Sequence, residues 1–127
     1  RAEFSSFASE INDAALGAFG NIKNNISHLD ISRTKVSDVG LRAAGSMPNL
    51  TWLSARNTIV SDNGLKSLSS LQYLSYLNLS GTKVSDKGLQ TLSTFKSLKE
   101  IYLWGSEVTD KGVESLRESL PTVKILF

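Results

Sequence analysis

The chain repeats itself. "TKVSDVGL" runs from Thr34 to Leu41, "TIVSDNGL" begins at Thr58, "TKVSDKGL" occupies residues 82 to 89, and "SEVTDKGV" ends at Val113. Asp38, Asp62, Asp86 and Asp110 lie 24 residues apart, and Gly40, Gly64, Gly88 and Gly112 keep the same interval. A fixed period of this length is the mark of stacked structural units, because one short unit cannot bury its own apolar side chains but a neighbour of the same shape can bury them for it.

Each unit has two halves with different periods. Ahead of each aspartate stand "ISHLDI" from Ile26, "LTWLSA" from Leu50, "LSYLNL" from Leu74 and "LKEIYL" from Leu98, whose closing alternation predicts a strand buried on one face. After the glycine the apolar spacing widens to three or four residues, as in Leu89, Leu92 and Phe95 or Val113, Leu116 and Leu120, which predicts a short helix with an inward stripe. A Ser or Thr before each aspartate supplies an N-cap, and the aspartate places negative charge at the positive end of the helix. The expected architecture is therefore α/β, with a parallel sheet on the concave face of a curved solenoid and short helices on the convex face.

The unit L-x-x-L-x-L-x-x-T-x-V-[ST]-D-x-G-L resembles the leucine-rich repeat. It is similar to the cysteine-containing class found in F-box substrate receptors and to related bacterial repeats in which Thr replaces the usual Asn or Cys. The likeness implies a single domain over residues 1–127, with a divergent repeat or cap at 1–25, repeats at 26–49, 50–73, 74–97 and 98–119, and an edge strand or cap at 120–127. In the first of these, "INDAAL" from Ile11 mirrors "VSDKGL", with Ala15 in the glycine place and one extra residue before the next unit. The last unit reads as offset by about one residue. Val36, Val60, Val84 and Val108 are expected to stack as a ladder. The hydroxyls of Thr34, Thr58, Thr82 and Ser106 must find backbone partners in the adjoining turn, because a buried unpaired polar group costs on the order of 1 to 3 kcal/mol.

Composition narrows the function. The 127 residues contain no cysteine, which removes disulfide caps and thiolate metal sites. A net charge of +2, from 14 basic and 12 acidic residues dispersed through the repeats, is not a nucleic-acid footprint. No run approaches the roughly 20 apolar residues of a membrane span, and no charged-then-apolar leader is visible. The chain begins at an arginine, so a piece of a longer or processed protein is expected, and the compartment stays open. Three N-x-[ST] triplets, at Asn25, Asn49 and Asn78, are read as coincidence, since about two are expected by chance in a chain so rich in Ser and Thr. The lone histidine, His28, shares a strand face with Asp30, but no nucleophile motif, phosphate loop or second histidine accompanies the pair. No catalytic residue, metal ligand or cofactor is assigned.

Positions that do not repeat are where function is sought. Between the inward residues, the outward rows read His28, Trp52, Tyr76, Glu100; then Asp30, Ser54, Asn78, Tyr102; then Ser32, Arg56, Ser80, Trp104. Strands lie about 4.8 Å apart, so Trp52, Tyr76, Tyr102 and Trp104 are expected to form one aromatic patch. Such a group is a sign of recognition, although cross-strand aromatic pairs also stabilise a sheet without any partner. The partner-binding set is His28, Asp30, Trp52, Arg56, Tyr76, Asn78, Glu100, Tyr102 and Trp104, serving a non-catalytic protein-binding module. The alternative is a carbohydrate-binding or architectural cell-surface module. Weak self-association through the apolar "KILF" edge at the C-terminus is a further expectation. The resemblance adds ubiquitin-ligase substrate receptors, bacterial host-directed effectors and envelope or cytochrome-linked arrays as settings. The absence of an F-box and of cysteine points to a bacterial source.

Overall fold

The computed structural model describes residues 2–3, 12–14 and 20–127. Six parallel strands stand in chain order in one sheet: β1 (Ala2–Glu3), β2 (His28–Asp30), β3 (Trp52–Ser54), β4 (Tyr76–Asn78), β5 (Glu100–Tyr102) and β6 (Lys124–Leu126). A 3-10 helix over Gly20–Asn25 leads into β2. The helices α1 (Asp38–Gly45), α2 (Asp62–Leu65, continued as a 3-10 turn over Lys66–Leu68), α3 (Asp86–Leu92) and α4 (Asp110–Ser119) follow β2 to β5. The α/β solenoid read from the repeats is the fold observed. From β2 to β6 the register equals the sequence period, with His28 beside Trp52, Tyr76, Glu100 and Lys124 in turn.

One continuous core lies between sheet and helices. Leu29, Leu53, Leu77 and Ile101 point inward from adjacent strands, backed by Leu41, Leu65, Leu89 and Val113 from the helices, and all are buried. Each residue thus meets its own counterpart in the next unit, and each such side chain contributes roughly 1.5 to 3 kcal/mol. Val36, Val60 and Val84 are wholly buried, while Val108 is only partly covered. The expected offset in the last unit is local: Leu120 and Val123 pack one position later than Phe95 and Leu98 do, and by Lys124 the 24-residue register has returned. β6 pairs with β5.

Turns after the strands carry the threonine ladder. Thr34 Oγ1 donates to the carbonyl of Ile31 at 2.7 Å, Thr58 to Ala55 at 2.7 Å, Thr82 to Leu79 at 2.6 Å and Ser106 to Leu103 at 2.7 Å. Among the described residues no buried side-chain nitrogen or oxygen lacks a partner. The residue preceding each threonine or serine is left-handed, with φ near 57° at Arg33, 56° at Asn57, 69° at Gly81 and 68° at Gly105. Asparagine and glycine suit that conformation and arginine does not.

Asp38, Asp62 and Asp86 stand in the first turn of their own helices and also act across repeats. Asp38 accepts the Ser61 amide at 2.7 Å and the Ser61 hydroxyl at 2.5 Å; Asp62 binds Ser85 and Asp86 binds Thr109 in the same two-pronged way. Asp13 does this for Ser37, so the divergent first unit supplies the same acid despite its extra residue. Ile11, Ala15 and Leu16 of that unit lie outside the described residues. The capping residues are therefore held by the preceding unit: Ser37 and Thr109 also accept an amide of their own helix, whereas Ser61 and Ser85 do not. The glycine of each D-x-G motif makes room for this bond, since a Cβ on Gly40, Gly64, Gly88 or Gly112 would overlap the carboxylate of Asp13, Asp38, Asp62 or Asp86 respectively. The D-x-G pair repeats because the aspartate of one unit fits under the glycine of the next.

Hydrogen bonds from the Thr109 hydroxyl and amide hold the Asp86 carboxyl below the usual carboxylate range, against a smaller opposing effect of desolvation. A carboxyl whose folded pKa is depressed stabilises the fold above its unfolded pKa, near 3.9, and loses that contribution as pH falls through the folded value. Urea unfolding between pH 5 and pH 2 is expected to show Asp86→Asn losing less stability on acidification than the parent protein. Parallel pH curves for the two would refute the assignment.

Candidate interaction surface on the concave sheet

Strand alternation turns His28, Trp52, Tyr76 and Glu100 away from the helices, and the shared register puts them in one row. The rings respond to that spacing by stacking. His28 lies 6.0 Å from Trp52 at 25°, Trp52 lies 4.7 Å from Tyr76 at 6°, and Tyr76 lies 5.2 Å from Tyr102 at 41°, a diagonal step into the second row. Four aromatic side chains from four consecutive strands thus form one half-buried ribbon across the sheet. Trp104, at 55% exposure, extends it past the end of β5.

Polar groups flank the ribbon. The Tyr102 hydroxyl donates to Glu100 Oε2 at 3.0 Å, and this bond is the main cause of the upward shift of the Tyr102 pKa, with burial and the Glu100 charge adding to it. Asp30 Oδ1 accepts the Ser32 amide and Asn78 Oδ1 the Ser80 amide, each at 3.0 Å, so both close the bend at the end of their strands as well as facing outward. His28 Nδ1 lies 3.1 Å from the Ser27 hydroxyl. Asp30 is thus engaged through Oδ1 by a backbone amide and His28 through Nδ1 by a neighbouring hydroxyl.

The outward rows need one correction. Ser32, Ser54 and Ser80 are buried, not presented to a partner. Their side chains are short, and the larger residues beside them close over the gap. Ser32 and Ser54 share a 2.7 Å hydrogen bond, and the Ser80 hydroxyl accepts the Trp104 amide at 3.1 Å. Within the third row only Arg56 and Trp104 are exposed, and they bound an open depression of about 510 Å³ with Asn57, Asn78, Ser80 and Tyr102. Asn57 was absent from the residues singled out by alternation, because it stands in the turn beyond the strand, where the period of two has ended.

Among the described residues no group of three or more His, Asp and Glu side chains is arranged to hold a metal ion, and no helix is long and apolar enough to cross a membrane.

Comparison with known proteins agrees with this geometry. The family described as leucine-rich repeat matches residues 23–43 and 70–93. No curated protein matches the chain by sequence. Among solved structures, a leucine-rich repeat protein of Leptospira interrogans is similar with a TM-score of 0.64 at 22% identity, over 81% of this chain and 26% of that one. An internalin from Listeria monocytogenes gives 0.51 at 19% identity, over 81% of this chain and 35% of that one. The Mex67:Mtr2 subunits of Chaetomium give 0.51 at 18% identity, over 98% of this chain and 73% of that one. At these identities the likeness is one of fold, and the chain spans about a quarter of the Leptospira protein and a third of the internalin.

Proposed function

We propose that this leucine-rich repeat protein is a non-catalytic module that binds a protein partner through the concave aromatic ribbon. Leucine-rich repeat folds generally mediate protein–protein interaction and are typically not enzymes, because a curved open sheet offers an extended surface rather than a pocket. The observation that carries the reading here is the continuous ribbon His28, Trp52, Tyr76, Tyr102 with Trp104 at its end, amid polar groups. Aromatic and arginine residues are the usual anchors of interfaces. The binding set comprises these residues with Asp30, Arg56, Asn78 and Glu100.

Stacking also weighs against a saccharide as the ligand. A sugar ring needs an open aromatic face to lie on, whereas Trp52 and Tyr76 stack on one another with ring centroids 4.7 Å apart. A stacked ribbon with a polar surround suits a protein surface better.

The test replaces Trp52 and Tyr76 together with serine. Losing a cross-strand pair costs roughly 0.2 to 1 kcal/mol, while interface anchors carry 2 kcal/mol or more. The double variant should therefore unfold cooperatively at a slightly lower temperature yet bind a purified partner at least about 30-fold more weakly. Unchanged affinity with reduced stability would assign the ribbon to packing alone.

A further inference from the structure

Building on the protein-binding reading, we propose that the depression at the end of the ribbon is a subsite for an acidic side chain of the bound segment, with an apolar residue next to it. Its lining is Arg56, Asn57, Asn78, Ser80, Tyr102 and Trp104, and no carboxylate is among them. Asn57 offers an amide donor and a carbonyl acceptor alike, and the other groups left available are weighted toward donors. Asn78 Oδ1 is taken by the Ser80 amide, which leaves the Nδ2 hydrogens. The Ser80 oxygen accepts the Trp104 amide, which leaves its proton. The Arg56 guanidinium is exposed and, among the described residues, has no hydrogen-bond or ion-pair partner. Glu100, the acid on the strand that bears Tyr102, is bonded to the Tyr102 hydroxyl.

An exposed guanidinium with no carboxylate in the lining calls for an anion, and its fork matches a carboxylate in two parallel bonds. The opposite wall is apolar: the Tyr102 ring, tied into the ribbon, and Trp104, more than half exposed. An acidic residue seated against Arg56 would place its neighbour in an extended segment on Trp104. The depression is open to solvent and forms part of the concave face, so it fits one side chain of a larger partner. Charge complementarity and continuity with the ribbon select an acidic protein segment over an isolated anion.

A phage-displayed random peptide library selected on the immobilised protein, in parallel with its Arg56→Gln variant, tests this. The parent should enrich peptides with Asp or Glu adjacent to an aromatic or aliphatic residue. For a synthetic peptide from that pool, changing the acid to its amide should weaken binding about tenfold, Arg56→Gln should do the same, and the two changes together should cost little more than either. Peptide binders without acidic enrichment, or with affinities indifferent to Arg56, overturn the subsite and leave the protein-binding reading standing. Binding of inorganic phosphate that depends on Arg56, with no acidic preference among peptides, would assign the depression to a free anion and also overturn it. A library that yields no binders counts against both readings.

Discussion

Gly64→Ala is expected to destabilise the protein by about 2 to 4 kcal/mol, lowering the midpoint of thermal unfolding by roughly 10 °C. Taken alone, the substitution should help, because alanine in a helix is favoured over glycine by about 0.5 to 1 kcal/mol. The sign reverses because a Cβ at this position would overlap the Asp38 carboxylate and the tip of Leu41. Leu41 can shift its terminal methyl, whereas Asp38 is fixed by both the amide and the hydroxyl of Ser61. Displacing it breaks two hydrogen bonds to a charged group, each contributing about 1.5 to 3 kcal/mol. A double-mutant cycle isolates the cause. With Asp38→Ala already in place the carboxylate is gone, so adding Gly64→Ala should cost little more. Costs that simply add, measured by urea unfolding, would show that the glycine serves something other than the aspartate.

That pairing marks where the sequence was legible and where it was not. Periodicity located the strands, the helix starts at Ser37, Ser61, Ser85 and Thr109, and the inward leucines, because burial side by side imposes a period on the chain itself. It did not reveal which way Asp38 points, since a residue 23 positions from its partner leaves the same trace as a residue capping its own helix. β1 was missed because Ala2–Glu3 joins β2 through the backbone, and two residues display no alternation. The outward rows were read from alternation alone, which assigns a face but takes no account of side-chain length. Trp52 and Tyr76 therefore stand out as expected, whereas Ser54 between larger neighbours is buried. The donor character of the depression was hidden for a related reason. Asn78 carries donor and acceptor alike, and only the local bond of its oxygen to the Ser80 amide, which sequence spacing does not disclose, leaves the donor foremost.

Leu77→Ala should cost more than Ile125→Ala, about 4 kcal/mol against about 2, although the two residues occupy equivalent places in units two repeats apart. Leu77 is fully buried at the centre of the sheet, with Leu53 on one side and Ile101 on the other. Ile125 lies on β6, meets Ile101 on one side, and retains 8% exposure. In a one-dimensional stack each unit is stabilised by the neighbours it touches, so a cavity in the middle weakens two interfaces and one at the end weakens a single interface. The central variant should also disturb the surface. Tyr76 and Asn78 flank Leu77 on the same strand, and the 4.7 Å stacking of Trp52 on Tyr76 depends on β3 and β4 staying in register over that leucine. Near-ultraviolet circular dichroism of the tryptophan–tyrosine stack should therefore weaken in Leu77→Ala and persist in Ile125→Ala. Equal unfolding free energies for the two variants, or an unchanged aromatic signal in the first, would mean that the core beneath the ribbon does not position it.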